Sequence, residues 1–391
     1  MNFSSRWLGR GALGALVTAS VVAVASGTAH AEIKIGVIVS TTGPAASLGI
    51  PAEQAFKLWP NQIAGQPMSM VILNDGTDSN MAARNTAKLI TEDKVDVIIG
   101  SSTTPNSIPI VEEAGRQGVP VITLSGGRAT VVPQEGPRKW AFKLSPTEEI
   151  STRRVMDHMK RNGQKRLATV SLANSYGEGF LQVVQKLAPE MGIELVAAEK
   201  YNATDTSVTA QALKVVAARP DAVFILSSGT PGALPQIELA ERGFKGTVYQ
   251  TQGVANNDYL RVGGKSLEGG YMTVAPVLVA DQLPDSNPTK KVALDFLAKW
   301  DARYGAESRS LFGATAWDSL LLVEAAATEA LKTTKPGTPE FRQALRDNME
   351  AMKNFVGAEG IYNMSPQDHN GVDETSQVLV RIQNGNWKYV E

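Results

Sequence analysis

Lys94-Val95-Asp96-Val97-Ile98-Ile99-Gly100-Ser101-Ser102-Thr103 decides the fold of this chain. A short β-branched run, apolar on both faces, follows a segment of helical period and ends in a hydroxyl-rich loop. A strand apolar on both faces belongs in a parallel sheet covered by helices on each side. The stretch has an echo at Arg219-Pro220-Asp221-Ala222-Val223-Phe224-Ile225-Leu226-Ser227-Ser228-Gly229-Thr230. Each copy has an aspartate, an apolar strand and a Ser-Ser loop with a threonine close behind. Each pass also opens on a strand that runs into a small polar loop, Ser40-Thr41-Thr42-Gly43-Pro44 in one and Ala173-Asn174-Ser175-Tyr176-Gly177 in the other. The repetition predicts an α/β protein of two Rossmann-like, doubly wound lobes with parallel sheets.

The flanking sequence keeps the alternation. Other strand-like runs lie at 33–39, 71–73, 121–124, 167–172, 193–197, 248–250 and 271–274. Segments of helical period lie at 81–92, 150–161, 179–191, 208–217 and 235–242, with Asp78 or Ser79 placed to cap the first. Gly118, Gly163, Gly192 and Gly243 stand where helices should stop. Longer helices are expected at 290–304, 314–331 and 339–349, with Trp317, Leu321 and Ala325 spaced as a packed face. Two last strand-like runs, 378–382 and 387–390, flank the turn Asn384-Gly385.

Composition narrows the function. Lys and Arg total 38 against 39 Asp and Glu, so no net charge favours nucleic acid. The absence of cysteine excludes disulfides, thiolate metal sites, a cysteine nucleophile and a lipidated cysteine. With three histidines, His30, His158 and His369, no multi-histidine metal site is expected, and no cofactor is implied. Residues 1–31 read as a cleavable signal peptide: Arg6 and Arg10 precede an apolar stretch, and Ala29-His30-Ala31 offers a small-x-small cleavage site. The mature chain is expected to be exported, free of a lipid anchor and monomeric. Two phosphate motifs fail on context: Gly9-Arg10-Gly11-Ala12-Leu13-Gly14 lies within the signal peptide, and Gly264-Lys265-Ser266 has Tyr259 where a P-loop needs glycine. A secreted hydrolase would need His158 or His369 as base, and both are expected to be solvated.

Open parallel sheets bind ligands beyond the carboxyl ends of their strands, at the switch point. Hydroxyl loops and helix N-termini there suit a carboxylate. Similar loops at four strand ends, two in each lobe, point to a cleft that closes on a small molecule. The competing reading of Ser101-Ser102-Thr103-Thr104 is helix capping.

Thr42-Gly43-Pro44-Ala45-Ala46-Ser47-Leu48-Gly49 resembles the first ligand loop of the branched-chain-amino-acid-type substrate-binding proteins of ABC transporters. The resemblance continues through Gly100-Ser101-Ser102-Thr103-Thr104-Pro105, Tyr176-Gly177-Glu178-Gly179 and the segment from Phe312 to Asp318. It implies an exported type I periplasmic-binding fold with three crossovers, near Pro146, Ala275 and Val356. Lobe one would be 32–146 plus 276–355, and lobe two 147–275 plus 356–391. It also implies that lobe closure captures the ligand and that permease subunits receive it.

Family positions carry over one residue at a time. Leu48 would line the pocket wall, and Ser102 and Thr103 would grip a ligand carboxylate. Ser125, Gly126 and Gly127 would complete that grip, and Tyr176 would close over the ligand. Thr230 and Gln252 stand in lobe-two loops, and Phe312 near the cleft mouth. Arg128 is placed either on the ligand carboxylate or, preferably, as a solvated rim charge. Amino-acid binders of this kind commonly carry an acid in the loop where this chain has Thr251-Gln252-Gly253. A buried ammonium without a counter-charge is strongly disfavoured. The ligand is therefore expected to be a carboxylate without an α-amino group, as in the subgroup that binds aromatic acids or aromatic keto acids. If Asp258 or Glu238 supplied the charge instead, a branched-chain amino acid or amide would fit. A periplasmic ligand sensor serving a signalling partner is the remaining alternative.

Overall fold

The computed structural model describes residues 32–391, so the signal-peptide reading of residues 1–31 lies outside the described residues. The first sheet is built from β1 (Ile33–Val39), β2 (Gln62–Ile63), β3 (Gln66–Asn74), β4 (Val97–Gly100), β5 (Val121–Thr123) and β6 (Ala141–Lys143), in the order β2-β3-β1-β4-β5-β6. The second takes β7 (Arg166–Leu172), β8 (Glu194–Tyr201), β9 (Ala222–Leu226), β10 (Thr247–Gln250) and β11 (Tyr271–Val274). A small hairpin, β12 (Phe355–Val356) with β13 (Ile361–Tyr362), stands apart. β14 (Val378–Gln383) and β15 (Asn386–Tyr389) then close the second sheet as an antiparallel edge, giving β15-β14-β11-β10-β9-β7-β8. The two parallel cores share one winding. β1 lies between β3 and β4, and β7 lies between β8 and β9, so each sheet reverses direction next to its first strand.

Helices cover both sheets. They are α1 (Ala46–Phe56), α2 (Ser79–Thr91), α3 (Thr104–Arg116), α4 (Glu148–Arg161), α5 (Ser175–Glu190), α6 (Thr209–Ala217), α7 (Ala233–Glu241), α8 (Asn257–Gly263), α9 (Lys290–Tyr304), α10 (Leu311–Ala330) and α11 (Pro339–Glu350). The chain leaves the first sheet after β6 and builds the second through β11. It then returns to lay α10 beside α1, where the Trp59 and Trp317 rings meet at 4.6 Å, and rejoins the second sheet at β14.

The paired aspartates of the two echoing stretches are structural. Asp96 Oδ2 accepts the Lys34 N–H at 3.0 Å, holding the start of β1. Asp221 Oδ2 accepts the N–H groups of Lys165 and Arg166 at 2.8 and 2.9 Å, holding the start of β7. Those N–H bonds hold the Asp221 carboxyl below its usual range, while deeper burial pushes Asp96 up.

The expected strands appear within a few residues of their places. α3 ends at Arg116, two residues before Gly118, where a helix was expected to stop, whereas α1, with Pro51 inside it, was not placed. Asp78 does cap α2, accepting the Met81 N–H at 2.7 Å. The buried side of α10 differs from the expected stripe: Leu320, Val323, Ala327 and Ala330 are buried, whereas Leu321 and Ala325 are only half-buried.

Candidate functional site

At the switch point of the first sheet, the loops after β1 and β4 are tied by a fully buried carboxylate. Asp75 accepts the hydroxyls of Ser40 at 2.7 Å and Ser101 at 2.5 Å. Ser101 is thereby committed to the fold. The next residue points the other way, as alternation along an extended chain requires. Ser102 Oγ accepts the Ser40 N–H at 3.2 Å and faces a small cavity. The second sheet repeats the arrangement: Ser227 bonds the Tyr201 hydroxyl at 2.7 Å, while Ser228 reaches the cavity wall.

Thr103 precedes α3 in the N-cap position but makes no side-chain cap bond. Its Oγ1 is buried without a hydrogen-bond partner among the described residues, and so is Ser125 Oγ in the loop after β5. Both line the cavity. The capping explanation for Thr103 therefore fails. The positive end of α3 begins at the next residue, where the first-turn N–H groups have no helical partners.

From the opposite side come Tyr176, Gln252 and Gly253. Asn174 Oδ1 caps α5 by accepting the N–H groups of Tyr176 and Gly177, both at 3.1 Å, and so fixes where the Tyr176 ring emerges. The Tyr176 hydroxyl donates to Thr251 Oγ1 at 3.0 Å, since Thr251 spends its own proton on the Ser227 carbonyl at 2.7 Å. Burial raises the Tyr176 phenol well above its usual range, so it stays neutral. Gln252 donates through Nε2 to the Pro146 carbonyl at 3.3 Å and accepts at Oε1 from Gln377 Nε2 at 2.7 Å. Gly126 lets the two sides meet: a Cβ there would lie 3.1 Å from Tyr176 Cε2 and 3.5 Å from Gln252 Nε2. Leu48 and Phe312 pack together with Ala45 as an apolar cluster at the wall.

The structure thus gathers Leu48, Ser102, Thr103, Ser125, Gly126, Tyr176, Gln252 and Phe312 around one cavity of about 20 Å³. Three other named residues stand off the wall. Gly127 spends its N–H on Thr104 Oγ1 at 3.2 Å, and a Cβ there would strike Thr104 at 2.5 Å. Thr230 donates its N–H to Ser47 Oγ at 3.3 Å, joining the loops of the two sheets. Arg128 is exposed, with its backbone N–H on Glu148 Oε1 at 2.8 Å. Sequence reasoning missed Ser228, Ser145, Leu124 and Leu311 on the wall. Ser228 had a signal, because it holds the place in its echo that Ser102 holds in the first.

No charged side chain belongs to this wall among the described residues. Asp258 pairs with Arg261 at 2.9 Å, and Glu238 pairs with Arg242; neither reaches the cavity. The histidines lie away from it too, but not as expected. His369 is 1% exposed, bonded to the Ala141 carbonyl at 2.9 Å and to Glu350 at 2.8 Å, with its ring stacked on Phe142. Its polar sequence neighbours suggested solvent, whereas the fold folds that loop over β6. His158 is half-buried against Tyr249, with 2.6 Å between Nδ1 and the phenol oxygen. Burial lowers the pKa of both. Among the described residues no cluster of histidine and acids is placed to hold a metal ion, and no helix is long and apolar enough to cross a membrane.

Comparison with known proteins agrees with this architecture. An extracellular ligand-binding receptor from Rhodopseudomonas palustris HaA2 is 41% identical, with a TM-score of 0.89 over 92% of this chain and 100% of that one. The Leu/Ile/Val-binding protein homolog 3 of Brucella melitensis is 25% identical over 67% of this chain and 72% of its own length. A solute-binding protein of an ABC transporter from R. palustris, solved with benzoate, is 20% identical with a TM-score of 0.77, over 92% of this chain and 95% of that one; this likeness is one of fold. The family model described as periplasmic binding protein matches residues 32–386. The chain therefore belongs to the periplasmic binding proteins, a family of solute-binding proteins, and has the type I fold of its Leu/Ile/Val-binding members.

Proposed function

We propose that this protein captures a small carboxylate without an α-ammonium group, an aromatic acid or aromatic keto acid, and delivers it to the permease of an ABC importer. One observation carries the ligand class: a wall without charged side chains on which Thr103 Oγ1 and Ser125 Oγ are buried without partners. Hydroxyls and the α3 N-terminus can hold a carboxylate, whereas an ammonium would enter with no counter-charge. The buried Glu148 is not on the wall, and its Oε1 accepts the Arg128 N–H at 2.8 Å. Leu48, Leu124, Leu311 and Phe312 supply apolar surface for a ring.

Capture is a hinge closure between lobe one (32–146 plus 276–355) and lobe two (147–275 plus 356–391). The enclosed space is about one water in size, so the ligand enters with the lobes further apart. The protein works as a monomer in the periplasm, free of the membrane, and performs no chemistry on its cargo.

Isothermal calorimetry with 4-hydroxybenzoate, phenylpyruvate, phenylalanine and leucine tests the reading. Binding of either acid, with both amino acids silent, is the expected result. Binding of leucine with both acids silent overturns it.

A further inference from the structure

Gln252 sits on the cavity wall with its side-chain amide held at both ends by residues that are not on the wall. The Pro146 carbonyl can only accept, so the amide end that meets it at 3.3 Å is the nitrogen. Oε1 then receives Gln377 Nε2–H at 2.7 Å. Gln252 and Gln377 are 3% and 1% exposed, so water does not compete for either bond. Pro146 and Gln377 belong to two separate chain segments that run between the sheets. Lys143 Nζ donates to the same Pro146 carbonyl at 3.1 Å, and that carbonyl is thereby pinned in turn.

The consequence is chemical. With Oε1 turned to Gln377 and one Nε2 proton held by Pro146, Gln252 keeps one amide proton that can reach the cavity. The Nε2 atom lies against the wall at Gly126, where a Cβ would be 3.5 Å from it. We infer that Gln377 is a positioning residue that locks the Gln252 amide as a donor, so that the site selects a ligand oxygen and rejects an ammonium at that place. This rests on the carboxylate reading above and extends it to a residue outside the wall. Without Gln377 only the 3.3 Å bond to Pro146 holds the amide, and a turn of the amide that breaks it would present Oε1 to an ammonium.

Two measurements separate this inference from the reading beneath it. In the ligand-free protein, 15N spectra follow the Gln252 side-chain amide. Gln377→Leu should shift both of its proton resonances, and unchanged resonances would overturn the lock. Calorimetry then compares phenylpyruvate with phenylalanine. Gln377→Leu should narrow the preference for phenylpyruvate by about fivefold, the scale of one buried hydrogen bond. In a Gln252→Leu background the same substitution should change nothing further. An equal effect in both backgrounds would show that Gln377 acts through general hinge stability and would overturn the inference. If the wild type binds phenylalanine as well as phenylpyruvate while the amide shift is seen, the lock stands and the assigned selectivity falls. If it binds neither, the reading of the ligand class fails, while the amide shift still decides the lock.

Discussion

The two sheets share one winding but present opposite states of satisfaction to the cavity between them. On the first-sheet side, Thr103 Oγ1 and Ser125 Oγ are buried without partners, and Ser102 accepts one bond while keeping its proton free. On the second-sheet side, the Tyr176 proton goes to Thr251, and Gln252 is held by Pro146 and Gln377 with one amide proton left. A buried polar group without a partner costs about 1–3 kcal/mol. That cost is tolerable where a ligand removes it and wasteful elsewhere. On the proposed function, the difference amounts to a division of labour: the first sheet carries the affinity, and the second carries a pre-set shape that decides what is admitted.

The strongest test removes the open hydroxyls. Ser102→Ala combined with Thr103→Val should weaken binding of the aromatic acid at least about 100-fold, since each bond to a charged group contributes about 1.5–3 kcal/mol. Unchanged affinity by calorimetry would break the division. Gly126→Val comes next. Its side chain would grow into Tyr176 Cε2, which a Cβ already approaches to 3.1 Å, so the two sides could not close. A loss of about tenfold in affinity is expected at an unchanged melting temperature. A variant that bound normally would show that the sides need not meet at Gly126.

Lys143, at the end of β6, probes the anchor of the satisfied side, because it shares the Pro146 carbonyl with Gln252. It is fully buried, donates to the Ser145 and Pro146 carbonyls, and burial lowers its pKa to about 8. Its unfolded pKa is higher, so the unfolded chain holds the extra proton above pH 8. The cost of burying the charge is therefore complete below that pH and is relieved as pH rises toward 10.5, by at most about 1.4 kcal/mol per pH unit. Urea unfolding at pH 8 and pH 9 should show this gain in the wild type relative to Lys143→Met. Parallel curves would mean that Lys143 is not strained. The smallest effect belongs to Thr103→Val alone. Because Thr103 does not cap α3, the substitution should cost less than about 0.5 kcal/mol of stability, whereas Asp78→Ala, which removes a cap that is made, should cost about 1 kcal/mol. Equal costs would return Thr103 to a structural role.

Much of the fold was legible because periodicity is local. The run at Ala222–Leu226 is apolar at every position, and all five residues are buried. Helix α1 was hidden: Pro51 argues against helix locally, while packing in the whole molecule supports it. The cavity wall was legible where a residue type recurs at a strand end, as with Ser102 and Ser125. Placement differed from expectation where a loop had to be followed through space. Thr230 was expected at the cavity, but its N–H joins Ser47, and Ser228 stands on the wall.

By itself the sequence determined two echoing α/β halves, hydroxyl loops at their strand ends and an uncharged residue at position 252, since each is a matter of residue type and spacing. Only the tertiary structure decided which hydroxyls are left open and which way the Gln252 amide faces. Those depend on partners as remote as Gln377, 125 positions along the chain, and no local pattern records a hydrogen bond across that separation.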